Sequence, residues 1–142
     1  MANLQPMPAI AFPVESLLEI GHTWNAATFI LPKASGERLG HLCDLTVGTC
    51  LAQMLGGLPV VAPTNARRLL PPQPDCVEVG PARVIGGIRP QNFDVAYRPD
   101  GVRFAYDSKT LNTRSSLSKN YQNMINDLGT EAATVHAQAI KC

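Results

Sequence analysis

Charge is scarce in this chain and nearly cancels. Twelve Lys and Arg stand against eleven Asp and Glu over 142 residues, a formal net charge of +1. That balance argues against binding nucleic acid through bulk charge, while leaving room for a local basic cluster. No apolar run is long enough to span a bilayer, so no membrane partner is expected. The N-terminus lacks a basic region followed by an apolar stretch, so no secretory signal is expected. No internal repeat is visible. The four cysteines, Cys43, Cys50, Cys76 and Cys142, form no Cys-x-x-Cys pair. His41 near Cys43 lacks further ligands at zinc spacing. Cys43 and Cys50, seven apart in a helical pattern, read as buried thiols suited to a reducing, cytoplasmic compartment. The length suits one domain with a core of its own.

What is present is concentrated between Phe93 and Thr110. Phe93-Asp94-Val95-Ala96-Tyr97 and Val102-Arg103-Phe104-Ala105-Tyr106-Asp107-Ser108-Lys109-Thr110 flank Arg98-Pro99-Asp100-Gly101. Two runs of alternating character around a Pro-Asp-Gly turn predict a hairpin. Alternation puts Phe93, Val95 and Tyr97 on one face, with Asp94 and Ala96 on the other. On the second strand Val102, Phe104, Tyr106 and Ser108 share a face, and Arg103, Ala105, Asp107 and Lys109 take the opposite one. Registers placing Asp94 opposite Asp107, or opposite Ala105 and diagonal to Asp107, bring both acids to one surface. A one-residue slip sets Asp94 beside Tyr106 and breaks the pattern.

Two carboxylates and an ammonium on one sheet face are costly for stability alone. They match the needs of metal-assisted phosphodiester hydrolysis. Mg²⁺ prefers carboxylate and water oxygens, polarises a phosphate and lowers the pKa of a bound water. A Lys two residues beyond the second acid contacts the scissile phosphate or positions the water. Desolvation would lower the pKa of that Lys, and the two acids would raise it.

Asp94, a spacer of twelve residues and then Asp107-Ser108-Lys109 resemble the PD-(D/E)XK nuclease superfamily, the restriction-endonuclease-like fold. Phe93 stands where that family usually has Pro. The segment Ser118-Lys119-Asn120-Tyr121-Gln122-Asn123, with Glu131-Ala132 and His136 downstream, resembles the helix after the catalytic strand in certain members. The resemblance implies an α/β (α+β) domain: a mixed sheet with a central antiparallel hairpin flanked by helices. It implies a metal-dependent DNA endonuclease of restriction or defence type. Asp94, Asp107 and Lys109 would be catalytic, with Asp94 and Asp107 holding Mg²⁺ or, as a substitute, Mn²⁺. DNA is the implied partner, and a homodimer is admitted. The alternative is a non-catalytic nuclease-like module that binds DNA or a partner protein. An extra acid from an early helix joins the metal in some members, and Glu15, Glu19 and Glu37 are the candidates here. A first-turn acid such as Glu15 is also favoured by the helix dipole.

Around the acids, Lys109, Arg114 and Lys119 recur at five-residue intervals and with Arg103 form a candidate basic rim. Asn120 and Asn123 are candidate nucleic-acid contacts through their amides. Leu117 to Gln138 has helical spacing, with Ser115 or Ser116 as cap and Gly129 as a point of bending. Upstream, residues 1–34 read as a helical arm, with an amphipathic Val14 to Thr28 after Pro13. The nuclease-like core spans 35–142. In it, Glu37 to Leu55 is a largely apolar helix ended by Gly56-Gly57, Pro59-Val60-Val61 a short strand, and Val77 to Ile88 a strand antiparallel to the opening strand of the hairpin. The resembled fold continues past the last helix into a further strand; with Cys142 as the last residue, the expectation is either a helix that packs back on a minimal sheet or a shortened member or fragment of the family.

Overall fold

Among the described residues, three helices and four strands make a mixed α+β fold. The computed structural model describes residues 10–25, 27–63, 69–85, 89–109 and 114–139, with side chains of the last segment described over 121–133. Helix α1 is Val14–His22 and helix α2 is Lys33–Met54. Strands β1 (Val60–Val61), β2 (Val77–Ile85), β3 (Pro90–Tyr97) and β4 (Phe104–Tyr106) come next, then helix α3 (Arg114–Ala139). The sheet order is β1-β2-β3-β4; β1 runs parallel to β2, and the remaining neighbours are antiparallel. Among the described residues, no helix is long and apolar enough to cross a membrane.

Local chemistry sets the helix ends. α1 stops at His22 rather than running on to Thr28. The Thr23 hydroxyl bonds the Ile20 carbonyl at 2.7 Å, and the Asn25 side chain accepts from the Ala27 and Thr28 amides, drawing the chain into a turn. α2 starts four residues before the expected Glu37, directly after Pro32, whose extended backbone suits the entry to a helix. It ends where Gly56 and Gly57 take φ of +92° and +84°, and the Gly57 amide bonds the Ala52 carbonyl at 2.9 Å. α3 continues through Gly129, whose surroundings are open, so nothing forces a bend there.

One face of the sheet packs on α2. Val77, Val79 and Val95 are buried there with Ala52, and Val47, Leu51, Tyr97, Phe104 and Tyr106 close the cluster. Cys43 and Cys50 are half-buried on α2, and Cys76 is buried just before β2. The helix lies so close to the sheet at Gly48 that a Cβ there would run into Cγ2 of Val79.

The second cluster holds Ala82, Val84, Phe93 and Ala96, with Val102 and Ala105 beside them. Phe93 is therefore in the opposite layer from Val95, and Val102 is not with Phe104, both contrary to simple alternation. Val102 lies before β4 begins at Phe104, so strand alternation does not reach it; for Phe93 the reason is a bulge. Val79 pairs with Val95 and Ala82 with Phe93, so Gly80 and Pro81 together face Asp94 alone. Pro81 has no amide hydrogen to give a ladder. Gly80 has φ +126° with Pro63 packed 3.1 Å from where a Cβ would stand, a conformation and a space that favour glycine.

A buried ion pair crosses the sheet next to this bulge. Arg98 Nε and Nη2 donate to Glu78 Oε2 and Oε1 at 2.6 and 2.8 Å, and Nη1 donates to the carbonyls of Leu69 and Arg83.

Both features of the packing can be tested through stability. Gly48→Ala should lower the urea midpoint at unchanged slope by an amount equal to about 1–3 kcal/mol, as overpacking outweighs the helix-propensity gain of Ala. Arg98→Met strands the Glu78 carboxylate and should cost about 3–5 kcal/mol, while Glu78→Leu combined with Arg98→Met should recover most of that loss.

Candidate functional site

The hairpin register is Val95 with Tyr106, Ala96 with Ala105 and Tyr97 with Phe104. Continued by one step, it sets Asp94 opposite Asp107. β4 leaves the ladder after Tyr106, and the Asp94 carboxylate takes over the bonding. Its Oδ2 accepts from the Ser108 amide at 2.8 Å and from the Ser108 hydroxyl at 3.1 Å. The Asp107 carboxyl is within hydrogen-bond reach of that of Asp94. Lys109 Nζ forms an ion pair with Asp107 Oδ2 and lies 3.4 Å from Glu131 Oε1 on α3. Asp94, Asp107 and Lys109 thus meet at the end of the hairpin.

The acid that α2 brings to this cluster is Asp44. It is buried, its carboxyl bonds the Ser108 side chain, and it feels the charge of Asp94. Its Oδ1 has no hydrogen-bond partner among the described residues. Glu15, Glu19 and Glu37 do not play that part. Glu15 is exposed, Glu19 accepts from Arg38 at 2.6 Å, and Glu37 pairs with Lys33 at 3.7 Å on the outer surface. Those three are early acids at conspicuous helix positions. Asp44 is a lone acid inside an apolar helix stretch, and that was the signal available for it; Glu131 stands in the helix segment that the resemblance singled out, without a role assigned to it.

Crowding of carboxyls governs the electrostatics. Burial pushes Asp107 up to about 7, Lys109 opposes this, and the charges of Asp94 and Glu131 add to the rise. Burial also raises Asp44, against the hydrogen bond from Ser108 and with the repulsion of Asp94. For Lys109 desolvation pulls downward, but Asp107 and Glu131 outweigh it and hold the ammonium above its ordinary value. Tyr106 is raised by burial and then by the neighbouring Cys43, Asp44, Asp94 and Asp107.

Of the rest of the candidate basic and amide rim, the described members are Arg103 and Asn123. Arg103 makes a two-pronged bond to Asp100 within the turn, at 2.8 and 2.7 Å, and lines a cleft that Asp107 and Glu131 also border. Asn123 is exposed on α3. The side chains of Arg114, Lys119 and Asn120 lie outside the described residues, as do those of Ser115, Ser116 and His136. The cleft, of about 530 Å³, lies between the second sheet layer and α3; Phe93, Val102, Ala105, Leu128 and Ala132 line it, and Asp107 and Glu131 border it.

Among the described residues, no group of three or more His, Cys, Asp or Glu is arranged to hold a metal ion. Asp94 and Asp107 are a two-carboxylate set of hard oxygen donors, and the buried, unpartnered Oδ1 of Asp44 belongs to the same cluster. Such a set fits Mg²⁺, which fills much of its shell with water and substrate oxygens. No family model, curated protein or solved structure matches the chain.

The raised Asp107 has a measurable consequence. Unfolded, it ionises at about 3.8; folded, it keeps its proton up to about 7. Between those values the folded state binds the extra proton, so the contribution of this group to stability is present at low pH and falls as pH rises through the window. Asp107→Asn should flatten this fall. Urea midpoints of both proteins at a series of pH values from about 4 to about 7 would converge at the acid end and separate in favour of the variant towards neutrality.

Proposed function

We propose that this chain is a divalent-metal-dependent DNA endonuclease of the PD-(D/E)XK kind. The observation that carries the reading is the meeting of Asp94, Asp107 and Lys109, three residue types with complementary tasks in phosphodiester hydrolysis. Asp94 and Asp107 would hold the metal, with Asp44 behind them. Bound there, Mg²⁺ or Mn²⁺ would polarise a phosphate oxygen and acidify a water.

The residues of the chain do the rest. The Ser108 amide and hydroxyl fix the Asp94 carboxylate in place, so its orientation is set before any ligand arrives. Lys109 is held charged. A protonated ammonium cannot accept a proton, so its part is to contact the developing charge on the phosphate or to position the attacking water. Arg103 and Asn123, with Arg114, Lys119 and Asn120, are the candidate contacts to the DNA backbone and bases. A homodimer would present two such centres to the two strands. Restriction or defence is the setting that the resemblance suggests, and the free cysteines suit a reducing cytoplasm.

One observation favours a second reading, a non-catalytic module that binds DNA or a protein. Lys109 already neutralises Asp107 and touches Glu131, so the cluster has an internal counter-ion.

Cleavage and mobility-shift assays on the wild type, Asp107→Ala and Lys109→Ala separate the two. The wild type should cut DNA with Mg²⁺ or Mn²⁺ and bind Ca²⁺ without turnover, because the looser coordination of Ca²⁺ positions water poorly. Asp107→Ala should lose metal binding and cleavage together. Lys109→Ala should keep the metal and lose cleavage by about 10²-fold or more. DNA binding by the wild type without cleavage under any divalent ion would establish the non-catalytic module. Undiminished cleavage by Lys109→Ala would remove Lys109 from the chemistry.

A further inference from the structure

Glu131 is a buried carboxylate on α3, 7% exposed, with the apolar Leu128 and Ala132 beside it on the wall of the cleft. Burying an acid there is unfavourable unless a cation or donors compensate it. The partner it reaches is Lys109, 3.4 Å away, and that same ammonium is paired with Asp107. One cation therefore serves two buried acids, one on the hairpin and one on the helix.

This sharing creates a conflict once a metal binds. A divalent ion on Asp94 and Asp107 and the ammonium of Lys109 are like charges drawn to one carboxylate. With Asp107 as its sole partner, Lys109 would either compete with the ion or swing towards solvent, to which its side chain is already 32% exposed. We propose that Glu131 is a positioning residue that retains Lys109 beside the site when Asp107 turns its carboxylate to the metal, a role that rests on the metal-dependent reading. Glu131 is already in contact with the ammonium, so the exchange needs no large movement of the lysine. The chain thus holds Lys109 between two carboxyl groups and gives up one of them on loading.

The experiment measures metal affinity, not turnover. Ca²⁺ alone and Mn²⁺ alone are titrated calorimetrically into the full chain as wild type, Glu131→Gln, Lys109→Met and the double variant. Glu131→Gln should weaken binding about 10-fold, the size typical of residues that orient a metal ligand's surroundings. In the Lys109→Met background the same substitution should change affinity by less than about twofold, because Glu131 acts through a lysine no longer there. An equal loss in both backgrounds would overturn the proposal and mark Glu131 as a direct ligand or a general field effect. No loss in either background would overturn it as well. If the wild type binds neither ion, the metal-dependent reading falls and takes this inference with it. If the wild type binds and the coupling is absent, this inference alone falls. Should Glu131→Gln not fold, Glu131→Asp, with the charge on a shorter arm, makes the same comparison in both Lys109 backgrounds.

Discussion

The pair Glu78–Arg98 takes two full charges out of water in the middle of the sheet, and much of the surrounding structure is arranged to satisfy them. The desolvation cost of such a pair is recovered only with near-ideal geometry and with every remaining donor and acceptor engaged. Here the guanidinium gives two bonds to the carboxylate and two more to the carbonyls of Leu69 and Arg83. Those bonds tie together the end of β3, the body of β2 and the segment before it. They also fix what the apolar contacts leave loose. Valines on neighbouring strands tolerate a slip, but a two-pronged bond does not. The register of β2 against β3 is pinned at Glu78–Ala96 on one side of the bulge and at Ala82–Phe93 on the other.

Between those pins the bulge at Gly80-Pro81 decides where Asp94 goes. Regular alternation would send Asp94 to the layer of Ala96. With two residues of β2 facing it, Asp94 sits where the strand changes faces, and its carboxylate reaches Ser108 and the acid that α2 supplies, Asp44. The same irregularity sends Phe93 into the second layer, where it lines the cleft under α3. A single backbone device thus sets both the acid cluster and the apolar wall next to it, which accords with the frequent use of bulges to re-aim side chains.

The bulge also marks the boundary of what is legible in the chain. The hairpin is readable because Pro-Asp-Gly is a local signal, and the face pattern leaves two registers open, of which the fold adopts the one that sets Asp94 opposite Asp107. The end of α2 is readable from Gly56-Gly57 for the same reason. The face of Phe93 is not, since its cause lies in another strand. Nothing local to Gly80-Pro81 says that it acts on Asp94. Glu78 and Arg98 are each ordinary charged residues until the fold brings them together. Glu131 is singled out in the sequence only as part of the helix after the hairpin and Asp44 not at all, because the significance of each is a matter of what it approaches, Lys109 and Ser108. Periodicity places residues on faces without saying what those faces meet.

The scarcity of charge gives the acid cluster its interest. With acids so few, four of them (Asp44, Asp94, Asp107 and Glu131) lie close enough to perturb or contact one another in succession, and Lys109 is the ammonium among them. Hydrogen bonds from Ser108 and the field of His41 soften the repulsion without cancelling it. The molecule answers the excess by keeping Asp107 protonated to about 7 and Lys109 firmly charged. Both responses hold in place a negative site that is incompletely neutralised. A purely structural cluster would be relieved by replacing one acid with its amide or with an apolar residue, since buried like charges stabilise nothing by themselves. On the proposed reading, a divalent ion would supply the positive charge that Lys109 alone does not bring to these four acids.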